Sequence, residues 1–278
     1  MNPRAYLETV GQTEDAAIDL APAALALAAL AQPETSLERY MHHLQSLAEK
    51  TARAHRALLL AGAADSVDTQ WRALKEVLAE EEDYHGDQDT YDDLQNANLI
   101  RVIERRKGLP IALCILALHA GRAQGWDIAG LHLPGHFVCR LEKDGQRLIF
   151  DPFHDCDRLE AAGLRALIKK TAGPEAELSA SYYEPAANRE ILIRLQNNIK
   201  YRQINAEDYA GALATVESMR LIDPEEYRLL LDAGVLYART EQTRRAIDVL
   251  EDYIKIAPKD RDRHDAAMLL QDLKRLLN

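Results

Sequence analysis

The chain has 278 residues, 47% hydrophobic and 28% charged, with a formal net charge of −11. That length supplies one large domain or two modest ones with enough apolar surface for a true core, and the acidic balance argues against nucleic acid or an anionic membrane as partner. Its three cysteines, Cys114, Cys139 and Cys156, are too few for a disulfide framework and form no CxxC pair, so a reducing, cytoplasmic setting is expected.

Residues 1–80 read as a helical segment packing on the core. The opening MNPRAYLETVGQTEDAA places acidic residues where a signal peptide needs basic ones. The apolar stretch Ile18 to Ala31 is too short to span a bilayer. From Leu37 the apolar positions Tyr40, Met41, Leu44, Leu47 and Ala48 recur at helical spacing, and a further helix is expected over Val67 to Ala79 with Trp71, Leu74 and Val77 inward. The run Glu80 to Asp83 reads as a solvated helix end.

The middle, 81–185, changes character. A short amphipathic helix carrying Leu99, Val102 and Ile103 ends at Gly108. A second starts at Pro110, the favoured first-turn position for proline, and stops at Gly125. Its apolar stripe is Ile111, Cys114, Ile115 and Leu118. Basic residues Arg101, Arg105, Arg106 and Lys107 read as a solvated face. Three strands are expected at Ile128–Leu133, His136–Leu141 and Arg147–Asp151, the last two joined by a hairpin around Asp144-Gly145. A two-residue turn there sets Cys139 opposite Phe150 and Leu141 opposite Leu148. His136 and Asp151 then become diagonal neighbours on one face, within hydrogen-bond reach. A carboxylate beside an imidazole orients the ring and fixes its tautomer.

The segment 186–278 is helical and repeats. Ala212 and Ala246 lie 34 residues apart, as do Pro224 and Pro258. That is the period of a tetratricopeptide repeat, a helix pair whose small residue permits close approach. The second copy fits with Leu230, Gly234, Tyr237, Ala246, Leu250 and Pro258. The first has Lys200 and Gln203 where Gly and Tyr are expected. The expected fold is α+β and mainly helical, with a small antiparallel sheet and C-terminal helical hairpins.

Tyr91-Asp92-Asp93 with Asn96 and Asn98, then RRKGLPIALCILAL (105–118), LPGHF (133–137) and DPF (151–153), resemble the transglutaminase-like SirB family of bacteria, from about residue 15 to 275. The resemblance implies a papain-like core followed by a tetratricopeptide segment. It also implies a nucleophilic cysteine at a helix start, where the helix dipole and free N–H groups favour a thiolate. Pro110 occupies that place here. Cys114 sits one turn on, about 6 Å deeper, among apolar neighbours that would raise its thiol pKa and leave it inert. Cys139 points to the other face from His136, and Cys156 follows in a loop. The reading favoured is therefore a non-catalytic adaptor or regulatory protein that binds a protein or peptide through its tail. The alternative is a Cys-His-Asp hydrolase or acyltransferase using Cys114 or Cys156 with His136 and Asp151. Pro110, Tyr84, His85, Tyr91 and Asn98 are expected to line the site, with Asp83 to Asn98 as a lid or wall. No phosphate-binding loop or Rossmann fingerprint implies a cofactor. Two looser constellations, His132/His136/Asp151/His154 and Asp83/His85/Asp87/Asp89, are set aside as metal sites, because Pro134-Gly135 interrupts the first and the second lacks the pattern of a calcium loop.

Overall fold

A computed structural model describes residues 2–258 and 260–276. In chain order it contains α1 (Pro3–Gln12), α2 (Leu20–Leu30), α3 (Glu38–Leu60), α4 (Val67–Lys75), β1 (His85–Gly86), α5 (Leu99–Arg105), β2 (Lys107–Gly108) and α6 (Pro110–Arg122). There follow β3 (Asp127–Leu133), β4 (His136–Lys143), β5 (Gln146–Asp151), β6 (Asp157–Arg158), α7 (Ala161–Ala172), α8 (Asn188–Asn205), α9 (Tyr209–Ile222), α10 (Arg228–Arg239), α11 (Thr243–Ile256) and α12 (Asp260–Leu276). Among these residues no helix is long and apolar enough to cross a membrane. Contacts gather the chain into two units. One is Asp15–Leu195; the other joins Asn2–Glu14 to the segment from Gln196 onward. The division falls within α8, later than residue 185, and assigns the first helix to the C-terminal unit.

In the first unit, β3 to β6 form an antiparallel sheet in sequential order. The hairpin register is the one the Asp144-Gly145 turn dictates, with Cys139 facing Phe150, Leu141 facing Leu148 and Lys143 facing Gln146. Asp144 and Gly145 take φ of 50° and 78°, the left-handed pair that matches the twist of the flanking strands. Every residue of α6 except His119 and Arg122 is buried. The helix is thus apolar all round instead of carrying a single stripe, as a helix at the centre of a core must be. Proline at its first position costs no hydrogen bond, because that N–H has no intrahelical partner in any helix. Residues Phe137, Cys139 and Leu141 alternate with His136, Val138 and Arg140. Cys139 Sγ lies 3.9 Å from the Cys114 carbonyl, so the first set faces α6. Val138 packs with Leu131, Leu133, Leu164 and Ile168 on the other face, which α7 covers.

Charged side chains expected at the surface are partly buried and paired. Glu82 is no solvated helix end: its side chain is 8% exposed and pairs with Lys50 and Arg106. The basic run is not a solvated face either. Arg106, held in a left-handed conformation (φ 61°) that ends α5, turns in to the Tyr84 hydroxyl at 2.6 Å. Arg105 and Lys107 reach the buried Asp87 carboxylate at 2.9 and 3.1 Å. Asp87 also accepts from the Thr90 N–H and hydroxyl, at 3.0 and 2.6 Å. The loose acidic group around Asp83 and Asp89 therefore spends its one buried carboxylate on lysine and arginine. Parallel pairing of β1 with β2, His85 with Lys107 and Gly86 with Gly108, completes this clamp on the 87–98 segment.

In the second unit, the helices α9 to α12 pack around Ala212, Val216, Ala233, Ala246, Leu250 and Tyr253. A Cβ on Gly234 would meet the Leu250 side chain at 2.6 Å, which is why the repeat needs its small residue there. Where the first copy departs from the pattern, polar pairs take over: Lys200 Nζ meets Asp232 at 2.6 Å and Gln203 Oε1 accepts from Thr215 at 2.8 Å. α1 packs on α9 so closely that a Cβ on Gly11 would lie 2.2 Å from the Leu221 carbonyl.

Candidate functional site

His136 opens β4 directly after Gly135, whose φ of 67° makes the tight return from β3. Arg194 on α8 fixes this return. Its Nη2 donates to the carbonyls of Leu133 and His136 at 3.1 and 2.7 Å, and its guanidinium lies 5.5 Å over the Phe137 ring. Asp151 closes β5 and is fully buried. Its Oδ1 accepts the Phe153 N–H at 3.0 Å, which sets the plane of the carboxylate. Its Oδ2 meets His136 Nε2 at 2.8 Å and His154 Nδ1 at 2.7 Å. Burial alone would raise the Asp151 pKa, but the hydrogen bonds from the two histidines outweigh it and hold the group at about 2. His154 is raised above its ordinary value, first by its hydrogen bond to Asp151.

His154 joins the pair through a 3-10 turn, Pro152–His154, which brings a residue three positions on back over Asp151. Left-handed Asp155 and Cys156, with φ of 50° and 57°, then turn the chain away, and Trp71 Nε1 donates to the Cys156 carbonyl at 2.8 Å. His132, the other histidine of the sequence constellation, is elsewhere: its Nδ1 lies 2.5 Å from Arg194. The cue for His154 was present as Asp-Pro-Phe-His, since proline after a capping aspartate favours such a turn.

The thiols are placed differently. Cys114 is fully buried, and its S–H points to the Phe137 carbonyl at 3.5 Å. Burial, then the neighbouring Cys139, push its pKa well up. Cys156 is 1% exposed and is also raised, chiefly by burial. All three cysteines are unpaired. Among the described residues neither Cys114 nor Cys156 hydrogen-bonds His136, and no Cys-His-Asp triad is assembled.

The remaining expected lining residues divide into two groups. Tyr91 meets the edge of Phe153 at 5.9 Å, and Phe153 in turn meets His136 at 5.7 Å and His154 at 5.1 Å, so Tyr91 reaches the pair through one ring. His85 lines a cleft of about 600 Å³ together with Lys75, Glu80, Asp83, Phe153 and His154. Tyr84 is buried, its ring in an apolar cluster with Leu78, Leu113, Pro152 and Cys156, its hydroxyl 2.8 Å from His43 Nε2. Asn98 caps α5 by accepting the Arg101 N–H at 3.1 Å. Pro110 is buried at the start of α6.

A helix buried against an antiparallel sheet, a His–Asp pair on the strands after it, and a helical-repeat segment beyond define a papain-like core joined to a tetratricopeptide module. Residues 38–197 match the Transglutaminase-like superfamily and residues 199–271 match the Tetratricopeptide repeat. The chain belongs to the transglutaminase-like superfamily. It is 30% identical over 189 residues to a UPF0162 protein of Xylella fastidiosa, covering 67% of each chain. It is 28% identical over 245 residues to a UPF0162 protein of Vibrio cholerae, covering 88% of each. Protein SirB1 of Salmonella typhimurium is 23% identical over 163 residues, 58% of this chain and 60% of the relative. No solved structure matches.

Proposed function

We propose that the protein is a non-catalytic member of its superfamily, an adaptor or regulator that binds a protein or peptide partner through its tetratricopeptide segment in the cytoplasm. The observation that carries this reading is the fate of the thiols. A thiolate nucleophile needs partial exposure and a lowered pKa, whereas Cys114 and Cys156 are buried and shifted the other way. Pro110 holds the helix start that would activate one. Three unpaired cysteines accord with a reducing compartment.

The test is iodoacetamide labelling of the folded protein near neutral pH with mapping of modified cysteines. All three should label slowly, and only as fast as the protein opens. Rapid, selective labelling of Cys114 that vanishes in His136→Ala would overturn the reading in favour of a cysteine hydrolase or acyltransferase. For the partner, the tagged full chain should capture a protein that a chain ending at Asp208 does not. A shortened, folded chain that keeps every partner would count against the tail as the binding module.

A further inference from the structure

We propose that His136 Nε2, Asp151 Oδ2 and His154 Nδ1 form a binding site for one divalent transition-metal ion of the zinc type, with the remaining coordination open to water or a ligand. The three donor atoms lie within 4.8 Å of one another and come from the start of β4, the end of β5 and the turn that follows it. Imidazole nitrogen and carboxylate oxygen suit zinc, iron(II) and cobalt(II), and two histidines with one carboxylate form a three-ligand set that leaves positions free.

The geometry accepts an ion after a modest shift of the two imidazole rings. Metal–ligand bonds of about 2.0–2.1 Å in a tetrahedron put ligand atoms about 3.3 Å apart. Both histidine nitrogens are now 2.7–2.8 Å from the same carboxylate oxygen. Seating a metal opens these two gaps by about half an ångström and brings the two nitrogens, now within 4.8 Å of each other, to about 3.3 Å as well. The carboxylate is already aimed: Phe153 N–H holds Oδ1 and leaves Oδ2 to the histidines. Such outer hydrogen bonds are what orient metal-binding carboxylates. Arg194 holds the His136 carbonyl in the same way. His136 and Asp151 are 6% and 0% exposed, so the ligands are polar groups set in a buried place at some cost.

Access runs past His154, which lines the cleft whose rim carries Glu80, Asp83, Asp155 and Asp157, with Lys75 the one lysine or arginine among the described lining residues. A negative rim raises the local concentration of cations. On binding, each coordinating nitrogen must carry a lone pair. A neutral imidazole now donating its N–H to Asp151 therefore transfers that proton to its other ring nitrogen through solvent, and the carboxylate stays ionised.

The test uses the full chain, stripped with a chelator and dialysed, then titrated with cobalt(II) and separately with zinc(II). One equivalent of cobalt should give visible d–d absorption of a four- or five-coordinate site, and zinc should displace it. His154→Ala should weaken binding by about 100-fold or more, at or beyond the loss seen for outer-shell partners. His154→Gln keeps a polar side chain at that position and guards against a folding defect, and it should weaken binding likewise. His42→Ala, an exposed histidine on α3 outside the cluster, should bind as the parent does. Absence of the bands at one equivalent, or folded His154 variants that bind cobalt and zinc as tightly as the parent, would overturn the site.

Discussion

Replacing Asp87 by alanine should lower the unfolding free energy by about 3 kcal/mol near neutral pH, the lower part of the range for breaking a buried charge pair. Asp87 is 2% exposed and holds four donors, from Thr90, Arg105 and Lys107. Without it, Arg105 and Lys107 would face each other with no carboxylate between them. Their side chains are 21% and 30% exposed, so water can partly compensate, which places the cost below the extreme. Burial raises the Asp87 pKa, but Thr90 and Lys107 overcome this and hold it well below its ordinary 3.8. A depressed folded pKa means stability that is fully present above the unfolded value and lost as pH falls. The gap between parent and Asp87→Ala in urea unfolding should therefore be constant above about pH 5 and narrow below about pH 4. A gap that widens on acidification would rule out the ion-pair account. Hydrogen exchange should also quicken over 87–98, the segment this carboxylate anchors.

Much of the sheet was legible because short-range chemistry governs it. Asp-Gly accepts two left-handed residues, and that fixes the turn length. The turn length fixes the register, and the register fixes which face each side chain takes. Cys139 opposite Phe150 and His136 beside Asp151 both follow from those two residues. Pro110 at the head of α6 was legible for the same reason. The 34-residue spacing of Ala212 and Ala246 marked the repeat because helix pairing demands a small residue at one height of each pair.

Other features depended on contacts distant in sequence. Whether Arg105, Arg106 and Lys107 are solvated or paired is decided by Asp87, Glu82 and Tyr84, which periodicity does not connect to them. The closeness of α1 to α9 rests on a glycine meeting a carbonyl some two hundred positions away. His154 and His132 looked equivalent as neighbours of the His–Asp pair. They separate because a 3-10 turn folds one back over Asp151, while Arg194, 62 residues further along, engages the other.

Arg194 carries the second large expectation. Arg194→Leu should cost about 2–4 kcal/mol, because the buried carbonyls of Leu133 and His136 each lose a hydrogen bond from a charged donor, at about 1.5–3 kcal/mol per bond. The leucine recovers part of the packing over Phe137 and none of the hydrogen bonding. Arg194→Lys should recover less than half of the loss, since one ammonium lacks the planar fork that serves two carbonyls at once. The effect should be local as well as global. Gly135 holds a left-handed φ and has no strand partner of its own, so the return between β3 and β4 depends on the guanidinium for its shape. Amide exchange at Gly135 and His136 should accelerate more than exchange at Leu141 further along β4. Equal acceleration along the strand would mean that Arg194 only contributes to general stability. Faster exchange confined to the return would show that α8 sets the position of His136, and with it the meeting of that ring with Asp151.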